Sequence, residues 1–429
     1  MDYFFYMNYS ISAWILVGVM FLTFGVAWFT LRKIKDKRKK IFFALTYLSY
    51  FVFSGFGISI FPSSTYFYYY LIYLLIFSWF IVLFQNKTFR FNISDKEINQ
   101  YIEKKGNYII GIYVLLMCSS LLYPELKISK LWNPPVIDSS NVTFVLSYED
   151  VDTVKKIKTL LLNFITPLYY ICLIKYIKRP IVFLFLLVFP LYSSYCSSGY
   201  MGRSGIVLAF LYYTAVMYYF HPTKRKIIFL SAIGSVAILI PIFTMLMYVR
   251  SGGTFEGDGW FSFIDPIIRI ECTYNYWFDD IYRHALNGYT YVTDYLTCII
   301  FQPIPGIFKQ WLIGNFQANH EIAILLTGVQ PNEDSFFVPL SGFVCESIFL
   351  FGPFFFFMHA FLYSYVINVF LNFSLSKRSF QMLYFYSIIF IALIVPRAGT
   401  TCVIGYPQII KMLVYVPVFF YLVVSKNKY

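Results

Sequence analysis

Apolar stretches of membrane-spanning length recur along this chain, near 11–31, 41–61, 67–85, 108–123, 157–175, 181–196, 205–220, 227–248, 348–370, 379–395 and 407–424. A helix needs about 20 such residues to cross a hydrocarbon core, and in that core the backbone must satisfy its own hydrogen bonds. The expectation is therefore an all-α, polytopic membrane protein of about 11 transmembrane helices, built as one integral-membrane domain over 1–429. Composition agrees. Only 13% of residues are charged, where soluble chains carry roughly a quarter, and the mean hydropathy is +0.65. The segment 336–347 is a candidate re-entrant half-helix ahead of the ninth span.

Charge then orients the spans. If they alternate, "RKIKDKRKK" (32–40), 86–107, "KYIKR" (175–179), "TKRK" (223–226), "SKR" (376–378) and "SKNKY" (425–429) share one side. That side holds 22 of the 34 Lys and Arg but only 4 of the 21 Asp and Glu, so the net +13 divides into +18 there and −5 elsewhere. Short loops rich in Lys and Arg stay cytoplasmic. This predicts an external N-terminus, a cytoplasmic C-terminus and no nucleic-acid partner, since the basic balance is topology. Nothing before the first span supplies a basic n-region, so no cleavable signal peptide is expected.

Two external loops remain, 124–156 and 249–335. The second has 87 residues, far more than a connection requires, and loops of that size are usually functional. It is rich in aromatics, Asn, Gln and carboxylates, with helical turns expected around 262–286. Aromatic faces beside amides and carboxylates suit sugar rings, which offer C–H faces and hydroxyls. An interfacial aromatic belt is the plainer use of the same residues.

Cations on the external side run against the charge bias. Arg203 in "GYMGRSGIVLAF", Arg250 after the eighth span and Arg397 in "VPRAGTT" reach one membrane level from distant parts of the chain, with Arg269, Arg283 and Lys309 in the large loop. Guanidinium is shaped for bidentate phosphate binding, and the glycines in "GRSG" and "RAG" allow close backbone approach. A shared anionic site is expected. Single arginines at this level also serve by snorkelling to headgroups.

The order of these features resembles the O-antigen polymerase (Wzy-type) family of polysaccharide repeat-unit polymerases. The likeness rests on the Arg-Gly lip "GYMGRSGIVLAFL", the large external loop, "QPIPGIFKQW", the Glu-containing "SGFVCESIFLFG" and "PRAG" after the next span. It implies a fold similar to the lipopolysaccharide ligases and SEDS glycosyltransferases, in the bacterial inner membrane. The implied substrate is undecaprenyl-diphosphate-linked oligosaccharide, polymerised en bloc at the periplasmic face. Membrane lipids are implied partners, and a chain-length regulator is left open. Departure of a lipid diphosphate builds negative charge that Arg203, Arg250, Arg397, Arg269 and Lys309 would stabilise. An acceptor hydroxyl calls for a base, for which Glu346, Glu333 and His320 lead, with Asp334 and Glu271 behind them. Glu346 stands out because a lone carboxylate in an apolar run is costly.

Other chemistries are weaker in the sequence. The four histidines show no metal spacing and "NHE" (319–321) is not H-E-x-x-H, so neither metal nor cofactor is expected. The "DD" at 279–280 reads as solvated carboxylates. Cys272 and Cys298 share the external, oxidising side, which leaves a pairing open, but no disulfide framework is indicated. A lipopolysaccharide O-antigen ligase and a flippase or exporter of the same lipid-linked oligosaccharide are the rival functions.

Overall fold

In a computed structural model, the structure describes residues 10–89, 91–119, 128–133, 153–198, 203–250, 263–265, 267–268, 272, 274–304, 316–330, 341–402 and 405–425. Among these every regular element is helical. Seven helices are long and apolar enough to cross a membrane, and three shorter apolar helices accompany them. The protein is thus a helical membrane protein. Its chain divides into two compact units, 1–91 with 266–376 and 390–414, and 92–265 with 377–389 and 415–429.

The first unit contains α1 (Ala13–Lys33), α2 (Lys37–Tyr50) and α3 (Ser64–Phe84). A π-turn at Phe51–Gly55 and a 3-10 turn at Phe56–Ser59 prolong α2. Asp36 caps α2 by accepting from the Arg38 N–H, and Ser63 caps α3 by accepting from that of Tyr66. Several polar side chains inside these helices are paired within the protein, which offsets the cost of burying them. The Thr23 hydroxyl donates to the Val19 carbonyl at 2.7 Å and lies 2.7 Å from the Tyr70 hydroxyl, while Tyr47 and Ser78 pair at 2.6 Å.

The second unit contains α4 (Asp95–Cys118), α5 (Thr153–Cys172), α6 (Pro180–Ser198), α7 (Arg203–Phe220) and α8 (Arg225–Arg250). Ser94 and Glu97 form a reciprocal capping box at the start of α4, which draws the helix down to residue 95, well before the span expected at 108. The first turns are polar because they precede the apolar stretch.

Segments expected on one membrane side meet in each unit. In the first, Lys39 donates to the Gln85 carbonyl, and the Asn372 amide donates to the Gln85 and Lys87 carbonyls at 3.1 and 2.6 Å. In the second, Asp95 accepts from the Arg378 and Ser379 N–H groups at 3.2 and 3.1 Å, and Lys175 donates to the Glu103 carbonyl at 2.8 Å. At the other end, the Asn275 amide donates to the Gly57 and Phe61 carbonyls, and Tyr192 donates to that of Leu131. Which end of each unit faces the cytoplasm is an expectation from charge.

One expected span is divided. The apolar run at 348–370 belongs to two helices of the first unit, α12 (Gly342–Phe355) and α13 (Phe357–Ser376), counted after α9 (Phe278–Leu286), α10 (Val292–Ile300) and α11 (Ala318–Thr327). Gly352, at φ 74° and ψ 171°, breaks the first of them just before Pro353. At about 1.5 Å per residue, α12 is too short to cross a bilayer, and every residue from Gly342 to Pro353 is buried. Half of the candidate re-entrant segment, 342–347, lies in this interior helix; the remainder, up to 340, falls outside the described residues. A short α14 (Gln381–Tyr386), a π-turn and α15 (Ala392–Ala398) make up the next crossing, and α16 (Tyr406–Ser425) the last.

Candidate functional site

Helix α12 is the hub of the first unit: α9, α10, α11, α13 and α15 all pack on it. Its second turn carries Glu346, which is 0% exposed. A buried carboxylate persists only where donors replace its water, and five do. Oε2 accepts from the Thr400 N–H at 2.5 Å, the Thr400 hydroxyl at 3.1 Å and His359 Nε2 at 3.0 Å. Oε1 accepts from the Thr401 N–H at 3.0 Å and the Thr401 hydroxyl at 2.8 Å.

The segment that supplies these donors is built for the purpose. Gly399 ends α15 at φ +86°, a conformation that L side chains rarely adopt, and a Cβ there would sit 2.7–2.8 Å from the Glu346 carboxyl atoms. Glycine is what allows the chain to turn its next two N–H groups onto the carboxylate. The turn then closes on itself, with the Gly405 N–H donating to the Cys402 carbonyl and the Tyr406 N–H to that of Thr400, both at 2.8 Å.

Further contacts extend the network. His359 Nδ1 lies 2.8 Å from the Tyr73 hydroxyl, and the Tyr295 hydroxyl lies 3.1 Å from that of Thr400. The Thr401 hydroxyl also accepts from the Ala318 N–H at 3.3 Å. Glu346 therefore holds two separate pieces of chain: the lip that carries Arg397 and, through Thr401, the first turn of α11. The guanidinium carbon of the half-buried Arg397 lies 5.8 Å from the centre of the Phe53 ring, within cation–π range.

That first turn of α11 bears His320 and Glu321, both half-buried. Burial pushes the His320 imidazole below its ordinary range. Burial, and after it the charge of Asp294 in α10, pushes the Glu321 carboxyl up. Burial raises the Tyr291 hydroxyl too, and the charges of Glu321 and Asp294 add to that. Tyr291, Glu321 and Asp294 thus feel one another. A carboxyl held above its usual range is better matched to proton transfer near neutral pH than an ordinary one.

The expected site residues fare differently. Glu346, His320 and Arg397 come together through Thr400 and Thr401. Glu346 was expected as a base, but its two oxygens are filled by protein donors and solvent does not reach it, which is the geometry of a clamp. Arg203 begins α7 and Arg250 ends α8; their side chains fall outside the described residues, as do Arg269, Lys309, Glu333, Glu271 and Asp334 entirely. Arg283, Asp279 and Asp280 are exposed on α9. Cys272 and Cys298 are both buried and are not joined by a disulfide. Among the described residues no three His, Cys, Asp or Glu groups gather as a metal site.

Several members of the site have no sequence signal. His359 lies 13 positions after Glu346 and beyond a Gly-Pro break, while Thr400 and Thr401 lie 54 and 55 positions away. Only the run R-A-G-T-T marks the turn. No protein-family model matches the chain, and no curated protein or solved structure is significantly similar to it.

Proposed function

We propose that this protein transfers an oligosaccharide from a polyprenyl diphosphate to the hydroxyl of a second lipid-linked unit, as a repeat-unit polymerase in a bacterial inner membrane with undecaprenyl carriers. The observation that carries this reading is the Glu346 clamp, because a single buried carboxylate holds both the Arg397 lip and the turn bearing His320 and Glu321. In the step proposed, the acceptor oxygen bonds to the anomeric carbon as the bond from that carbon to the diphosphate oxygen breaks. The diphosphate leaves with the electron pair, and Arg397 neutralises the charge it gains. Glu321 or His320 takes the hydroxyl proton. Glu346 is a positioning residue in this scheme. Arg203 and Arg250, at the ends of α7 and α8, are the further candidates for diphosphate contact, with Arg269 and Lys309, while Glu333 remains a candidate base from the sequence.

One observation favours an exporter of the same lipid-linked oligosaccharide. The Glu346–His359 pair at 3.0 Å is fully buried, and Asp, Glu and His chains inside membranes include the proton relays of pumps and transporters. A ligase shares the arginine chemistry and differs in its acceptor.

The test complements a deletion strain with Arg397→Lys and Arg203→Lys at matched expression, and assays each purified protein on lipid-linked repeats. A bidentate diphosphate site loses about a hundredfold or more in rate with lysine, whereas a snorkelling arginine tolerates it. Deletion separates the readings: single-repeat surface glycan marks a polymerase, bare core with accumulated lipid-linked polymer a ligase, and units trapped inside an exporter. Wild-type chain lengths and rates from both lysine variants would remove the diphosphate role.

A further inference from the structure

Aromatic rings in this protein meet at many angles, with Phe42–Phe43 and Phe84–Tyr365 perpendicular at 90°. One group on the loop helices is nearly parallel throughout and ends on an exposed ring. Tyr291 stacks on Phe349 of α12 at 4.6 Å and 17°, Phe349 on His284 at 5.8 Å and 15°, and His284 on Tyr289 at 5.0 Å and 20°. The chain is folded to make the stack. Helix α9 ends at Leu286, Gly288 turns back at φ +86°, and the Tyr291 N–H then donates to the Leu350 carbonyl at 3.1 Å. The inner rings are thereby fixed to the buried helix.

The outermost ring faces outward, since Tyr289 is 61% exposed. Behind it His284 is half-buried, and its Nε2 is buried with no hydrogen-bond partner among the described residues. Burial lowers the His284 pKa, so near neutral pH the ring serves as an aromatic body and not a cation. A tyrosine anchored among lipid headgroups needs no parallel ring behind it. A flat, rigid ring with polar groups at hand fits a ligand with an apolar face and a polar rim, and Tyr291, a member of the same ring group, feels the charges of Glu321 and Asp294.

The geometry points to a pyranose-binding platform, in which Tyr289, backed by His284 and Phe349, stacks on the C–H face of a sugar ring while the carboxylates take its hydroxyls. That this sugar belongs to the acceptor repeat rests on the polymerase reading. The platform itself holds for any protein that handles the oligosaccharide.

The test uses the full-length protein in nanodiscs and two probes, the single repeat released from the host's surface glycan without its diphosphate, and methyl pyranosides. Saturation-transfer NMR reads which sugar protons touch the protein, and titration gives the affinity. Wild-type protein should transfer saturation to the C–H protons of one ring. Tyr289→Ala should weaken binding about tenfold, the scale of one lost ring contact, and raise acceptor KM more than it lowers kcat. Tyr289→Phe should bind as wild type and show that the Ala variant's loss is not misfolding. Arg397→Ala should leave binding of the released repeat unchanged, because that probe has no diphosphate. No transfer to wild type, or equal affinity in Tyr289→Ala, overturns the platform. Sugar binding without polymer formation overturns the polymerase reading and leaves the platform standing.

Discussion

Replacing Glu346 by glutamine separates a clamp from a base. An amide keeps one oxygen and puts an NH2 in place of the other. In one orientation the NH2 faces the Thr400 N–H, now 2.5 Å from Oε2; in the other it faces the Thr401 N–H, now 3.0 Å from Oε1. The threonine hydroxyls can rotate to accept, but a backbone N–H cannot. One buried donor is therefore orphaned, at about 1–3 kcal/mol, and the remaining bonds fall from charge-assisted to neutral strength, roughly half. His359 loses its anionic partner as well. The total is about 3–5 kcal/mol, the scale for removing one partner of a buried pair and a large fraction of the 5–15 kcal/mol typical of a folded domain. The assay is denaturant or thermal unfolding of purified Glu346→Gln in detergent, beside its accumulation in cells. A clamp predicts a clear loss of stability together with loss of activity. Activity abolished at unchanged stability would refute the clamp and return the role of base to Glu346.

Gly399→Ala should be at least as damaging, because φ 86° with ψ 167° is a region essentially confined to glycine and costs an alanine about 1–3 kcal/mol, and its Cβ would strike the carboxylate; wild-type accumulation and activity in that variant would contradict the turn geometry. Glu321→Gln tests a pH dependence whose sign follows from the raised carboxyl. The folded state favours its proton, so its stabilising contribution is complete below the ordinary value of 4.5 and is lost as pH rises through the folded pKa. The variant should then unfold at a higher temperature than wild type at pH 7, with the difference vanishing in acid, while transfer slows; a variant less stable at pH 7 would contradict the shift. Reporter fusions after residues 140 and 300 should read external, and those after 38, 100 and 225 cytoplasmic, and a cytoplasmic signal at 300 would put the proposed site on the wrong side.

Hydrophobicity alone determined that this chain is helical and lies in a membrane, because burial in lipid depends on how many apolar residues follow one another, which a linear reading counts directly. Charge gave the expectation of which segments share a membrane side, and some of those segments meet within each unit. The cost of a lone carboxylate in an apolar run singled out Glu346 without reference to any partner. What it does there was decided by tertiary structure. Its donors come from Thr400, Thr401 and His359 across a helix break and an intervening helix, and no periodicity links residues whose only relation is that they close around one charge. The division of 348–370 had the same cause, since a run of apolar residues reads alike whether it faces lipid or is buried among other helices. The ring stack was illegible too. With 23% of the chain aromatic, composition cannot tell an exposed ring with three others parallel behind it from one resting in the interface, because stacking depends on orientation, and orientation exists only in the folded chain.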